Sequence, residues 1–169
     1  TTGTSNVAVG SGALDANTVA NDNTAVGKSA LGANTTGSNN TAIGLSSLGV
    51  NVNGGSNVAV GNYALDANTS ANFNTAVGYA SLSSNTTGAN LVAVGKGSLG
   101  SNTTAADNVA VGVNSLSLNT TGTFNVGIGR SALYSNTTAS NNTAVGDRSL
   151  DANTTGSENT GVGKDALTS

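Results

Sequence analysis

One glycine recurs every 17 residues from one end of the chain to the other, and this period constrains the fold more than any other feature. The series runs Gly10, Gly27, Gly44, Gly61, Gly78, Gly95, Gly112, Gly129, Gly146 and Gly163, without insertion or deletion. A fixed period of this length is the signature of stacked repeats, in which equivalent residues of successive units lie on one another. With Asn6 as the first position of a unit, the repeats start near 6, 23, 40, 57, 74, 91, 108, 125, 142 and 159. The consensus reads N-T/V-A-V/I-G-x-x-A/S-L-x-x-N-T/V-T-G/A-x-x. Residues 1–169 are therefore expected to form a single repeat array, and the chain reads as a piece cut from a longer repeat protein.

The composition would otherwise suggest disorder, since only 8% of residues are charged and 3% aromatic, with 24 Gly and no Pro, Cys, Met, Trp or His. Disordered chains, however, have no reason to hold apolar residues in fixed register. Here the fourth position is always Val or Ile (Val9, Ile43, Val77), the ninth always Leu (Leu14 through Leu167), and the third Ala except at Gly127 and Gly161. The first position is Asn in every unit but one, where Leu91 replaces it.

Asn-Thr-Ala-Val-Gly suits a short strand closed by a bend that needs positive φ or close backbone approach. The following x-x-Ala/Ser-Leu reads as a second short strand or one tight helical turn, and Asn-Thr-Thr-Gly as a corner. Seventeen residues cannot hold a strand, a full helix and loops. The expected fold is all-β: a parallel β-solenoid of ten coils, each of two or three short strands, rising by about 4.8 Å per coil. The twelfth-position asparagines, Asn17, Asn34, Asn51, Asn68, Asn85, Asn102, Asn119, Asn136 and Asn153, are expected to form a structural ladder of amides that also satisfies turn backbone.

Strand alternation separates the second and fourth positions from the first, third and fifth. Placing Val and Ile inside the coil turns the third position outward, where Ala8, Ala25, Ala42, Ala59, Ala76, Ala93, Ala110 and Ala144 form a uniformly small column. That column is expected to be a packed face admitting another backbone, with three parallel chains around an axis; the alternative is that alanine lines a cramped corner of a single-chain coil. A trimer would also supplement a thin core, since burial at about 25 cal/mol per Å² must oppose roughly 1–2 kcal/mol of backbone ordering per residue. All charged and aromatic residues fall in variable positions, which are expected to face solvent.

Asn23-Thr24-Ala25-Val26-Gly27, Ser131-Ala132-Leu133-Tyr134-Ser135-Asn136-Thr137-Thr138 and Asn142-Thr143-Ala144-Val145-Gly146 resemble the repeats of phage tail-fibre-like and bacterial surface proteins, which often precede an intramolecular chaperone domain. The Asn-x-Ala-Val/Ile-Gly core is also similar to the head repeats of trimeric autotransporter adhesins, whose unit is shorter. The resemblance covers essentially the whole chain and implies a trimeric fibre used for attachment. A weaker similarity, of V-G-x-x-A/S-L-x-x-N to short leucine-rich repeats, implies a single-chain solenoid instead.

The residues present argue against chemistry. No catalytic residue, cofactor site or metal site is expected: without His or Cys the remaining bases are isolated carboxylates, and Asp147, Arg148 and Asp151 form the densest charge cluster, best read as a solvated edge. Five basic residues against eight acidic ones exclude a nucleic-acid footprint, and no apolar stretch is long enough for membrane insertion. The twelfth-position sequons at Asn34, Asn68, Asn85, Asn102, Asn119, Asn136 and Asn153 would accept glycans in a suitable host. The function expected is a structural or adhesive segment, stalk or head, of an extracellular, cell-surface or virion fibre. Its partners are expected to be copies of itself, and a surface glycan or host receptor. A self-assembling filament and an ice- or glycan-binding single-chain solenoid are the alternatives.

Overall fold

The computed structural model describes residues 2–168 as an all-β parallel solenoid without a helix. The strands are β1 (Val7–Val9), β2 (Thr24–Val26), β3 (Thr41–Ile43), β4 (Val58–Val60), β5 (Thr75–Val77), β6 (Val92–Val94), β7 (Val109–Val111), β8 (Val126–Ile128), β9 (Thr143–Val145) and β10 (Thr160–Val162). They form one parallel sheet in sequence order, and each residue pairs with the one 17 positions later. The ladder is close: Thr24 N–H donates to Asn40 O at 2.8 Å, and Gly27 N–H to Val9 O at 2.8 Å. Nine spacings of about 4.8 Å make a sheet roughly 43 Å long.

Each coil contains one strand, not the two or three expected. The remainder is a succession of turns whose backbone bonds run locally, as in Asn34 N–H to Leu31 O at 3.1 Å, and to neighbouring coils, as in Leu31 N–H to Ser47 O at 3.0 Å. The Gly that ends each strand has φ near +130°, as at Gly78 (+132°). A Cβ there would lie 2.7 Å from both C and O of Gly95 in the next coil. From Gly10 to Gly146 two constraints, a conformation that L-residues avoid and direct backbone stacking, act against any other residue, and at Gly163 only the first applies. The ninth-position leucines adopt the left-handed region as well, for example Leu82 at φ 52° and Leu99 at φ 49°. This conformation is unfavourable for a bulky side chain, but it turns Leu into the centre of the coil, where Leu31 through Leu133 are fully buried at this position.

The expected orientation of the strand is reversed. The third-position alanines point inward: Ala25, Ala42, Ala59, Ala76, Ala93, Ala110 and Ala144 are completely buried within a single chain, while Ala8, in the first coil, is exposed. The Val and Ile of the fourth position lie outside. Crowding from the opposite wall explains this arrangement. A Cβ added to Gly127 would meet Ser115 Oγ at 2.6 Å and Leu116 Cγ at 3.3 Å, so the interior beside the strand admits little more than a methyl group. Where glycine replaces alanine, the eighth-position serine of the preceding coil uses the space: Ser115 Oγ donates to Gly127 O at 2.8 Å and Ser149 Oγ to Gly161 O at 2.9 Å. Small residues in this column therefore reflect packing inside one coil, and they no longer argue for a second chain.

Asparagine supplies what the thin apolar core lacks. In the twelfth-position column, Asn51 Nδ2 donates to Asn34 Oδ1 at 2.9 Å and to Gly54 O at 2.9 Å, and Asn51 Oδ1 accepts from Asn68 at 2.9 Å. The first-position asparagines form a second column. Asn57 Oδ1 accepts from Asn74 N–H at 3.0 Å, and its Nδ2 donates to Ala71 O at 2.9 Å. Both columns converge on the same inward carbonyls; Gly37 O, for instance, accepts from Asn23 and Asn34. Apart from Asn17 Oδ1 in the first coil, which has no partner, buried amides paired in this way cost little and hold the coils in one register.

Candidate functional site

With Ala inside, the outer face of the sheet consists of the second and fourth positions. The second is Val or Thr (Val58, Thr75, Val92), and the fourth is Val or Ile in every coil. No charge occurs in either column. Adjacent columns on a strand face lie about 6.6 Å apart, so this surface is a strip roughly 43 Å long and about 10 Å wide. One of its columns is wholly aliphatic and the other is half aliphatic, since Thr24, Thr41, Thr75, Thr143 and Thr160 place hydroxyls there. Ile43 and Ile128 are exposed, and Val162 in the last coil is 70% exposed.

The other exterior positions vary from coil to coil. Phe73 and Phe124 are exposed at the seventeenth position, and Tyr63 and Tyr79 meet edge to face with ring centroids 5.9 Å apart. Basic and acidic side chains pair between coils: Arg130 Nη2 donates to Asp147 Oδ2 at 3.0 Å and Arg148 Nε to Asp165 Oδ1 at 2.7 Å. The hydrogen bond from Arg148 holds the Asp165 carboxyl below the ordinary carboxylate range and raises the guanidinium in turn. Such exposed pairs add little stability. Asp66 departs from the expectation that every charge faces water. Burial pushes its carboxyl above the ordinary range against hydrogen bonds from its own backbone N–H and that of Ala67, and its Oδ1 has no partner.

The threonines at the thirteenth position spend their hydroxyl protons within the rod, as in Thr86 Oγ1 to Thr103 O and Thr120 Oγ1 to Thr137 O, each at 3.0 Å. The sequon asparagines Asn34, Asn68, Asn85, Asn102, Asn119 and Asn136 are fully buried, while Asn153, in the ninth coil, is partly exposed. Two sequons that the repeat pattern obscured, Asn39-Asn40-Thr41 and Asn141-Asn142-Thr143, place their first asparagine on the surface. Among the described residues no group of three or more His, Cys, Asp or Glu is arranged to hold a metal ion, and no helix is long and apolar enough to cross a membrane.

These features define a parallel β-solenoid with one charge-free side of Val, Ile and Thr. Comparison of the chain with protein-family models, curated proteins and solved structures returns no match.

Proposed function

We propose that the chain is a rigid segment of an extracellular or virion fibre, assembled laterally through its outer strand face into a homotrimer that serves attachment. The observation that carries this reading is the fourth-position column. Ten consecutive coils present Val or Ile to the outside, where an isolated solenoid could equally well hold Thr, Lys or Glu. A strip free of charge over its whole length suits a flat contact between copies of the same rod. Three chains facing a common axis is the arrangement implied by the resemblance to adhesin heads and fibre repeats. The proposal assigns no chemical step to any residue; stiffness and multivalent presentation are the mechanism.

Light scattering on Val77→Lys tests it. The lysine would stand on the outer face, so the rod should stay folded while its mass falls from three chains to one. Ala76→Lys, one residue away, should instead disrupt the coil itself, because Ala76 is 0% exposed in a single chain. A monomeric mass for the unmodified protein would sink the proposal.

The same regular array of Thr, Val and Ile favours one further reading, in which the face orders water on an ice surface. Thermal hysteresis from a monomeric rod would select that reading.

A further inference from the structure

We propose that one flank of the rod carries a groove for a linear, uncharged polysaccharide, held by Tyr134, Arg148 and Asp151. The proposal names a ligand class for the attachment function proposed above and rests on that reading.

The open groove has a volume of about 580 Å³ and spans coils seven to ten, with Asn114, Ser131, Tyr134, Ser135, Arg148 and Asp151 among its lining. The volume is within the range of small-ligand sites. These residues belong to the seventh-position column and the tenth- and eleventh-position columns, which run along the stacking direction. A groove parallel to the rod suits an extended polymer better than a compact metabolite.

The side chains indicate the class of polymer. Tyr134 supplies an aromatic ring, and Asp151, Asn114, Ser131, Ser135 and Arg148 supply acceptors and donors in close alternation. Such a mixture matches the apolar ring faces and vicinal hydroxyls of a sugar. A peptide would require apolar pockets, and the only aliphatic lining is Ala152. A nucleic acid or anionic glycan would require unpaired positive charge, whereas Arg148 is bonded to Asp165 and Asp151 shares the groove.

Asn114, Ser131 and Arg148 lie in the left-handed region, at φ 56°, 55° and 54°, as the seventh position does in the other coils, for example Tyr63 at 60° and Ala80 at 51°. The repeat therefore sets the backbone of this column, and the side chains it carries are free to differ from coil to coil. Along the same flank, the tenth position is Gly at residues 32, 49 and 100, Ser at 83 and 117 and Asp at 15 and 66. A carboxylate therefore recurs on this flank, and it is joined by a guanidinium only in coils eight and nine, where Arg130 and Arg148 stand.

The test uses an array of neutral gluco-, galacto- and manno-configured oligosaccharides, followed by calorimetry with the strongest binder. Tyr134→Ala and Asp151→Asn should each weaken binding roughly tenfold or more, while Asp15→Asn, at the same position in the first coil, should leave it unchanged. Binding of none of the neutral sugars, binding confined to sulfated or sialylated controls, or equal affinity in all three variants would overturn the groove. Light scattering on the same samples separates the two proposals: monomers that bind sugar overturn only the assembly, and trimers that bind none overturn only the groove.

Discussion

Replacing Gly78 with alanine tests whether coil stacking, rather than turn conformation alone, dictates the invariant glycine. The new Cβ would stand 2.7 Å from Gly95 C and O and 3.1 Å from Lys96 N. Carbon atoms in contact prefer about 3.5–4.0 Å, so coils five and six would have to separate locally by close to 1 Å. The hydrogen bond from Gly95 N–H to Val77 O, now 2.7 Å, would be lost in the process. Overpacking costs about 1–3 kcal/mol, a buried group left unpaired about 1–3 kcal/mol, and the φ of +132° a further 1–3 kcal/mol, roughly, for a residue with a Cβ. The three together amount to about 3–9 kcal/mol.

Two controls isolate the stacking contribution. Gly97→Ala, at φ 65°, would meet mainly the movable side-chain oxygen of Asn114, and Ala80 already occupies the equivalent position at φ 51°. Gly163→Ala, at φ 125°, has nothing within 4 Å of the added carbon. Each should lose about 1–3 kcal/mol, the conformational share alone. Urea unfolding monitored by far-UV circular dichroism gives the comparison, and amide exchange across β5 and β6 reports whether the damage is local, since repeat arrays can open in parts. Equal losses in Gly78→Ala and Gly97→Ala would refute the stacking argument and leave φ as the whole explanation.

Asn57→Ala should cost about 3 kcal/mol, because it strips Asn74 N–H of its acceptor and opens a cavity, whereas Asn57→Leu should cost less, since Leu91 fills the equivalent site; chemical denaturation of both variants checks the order. Asp66→Asn should raise the melting temperature at pH 7. The native carboxyl is held above its ordinary range, so its penalty grows as pH rises through the native pKa and is absent once pH falls below the unfolded value. The variant and parent should therefore converge in melts near pH 3. Secretion from a glycosylating host should yield a folded fraction with carbohydrate on Asn39 or Asn141 and none on Asn85 or Asn102; glycopeptide mapping of that fraction would show a sugar on either buried residue if the ladder were dispensable.

The 17-residue period and its columns by themselves determined the architecture. A chain that repeats Asn, Ala, Val, Gly, Leu and Asn at constant spacing can satisfy every unit in the same way only by stacking. The twelfth-position asparagine column was legible for the same reason, since an amide that recurs at the ladder spacing can bond to its own copies. The role of the first-position column, which bonds to strand backbone and turn carbonyls, emerged only from the structure. The direction of the strand was not legible. Three residues that alternate between faces have two possible placements, and hydrophobicity favours putting Val inside. The structure places Ala76 inside and Val77 outside because Leu82 and Ser81 already fill the centre of the coil. Nor did the column of leucines disclose its left-handed backbone, because a buried leucine is compatible with strand, helix or turn. Only packing decided both matters: in a coil this narrow, the available interior volume outweighs local preference, selecting a methyl group beside the strand and forcing Leu into a conformation it would not otherwise adopt.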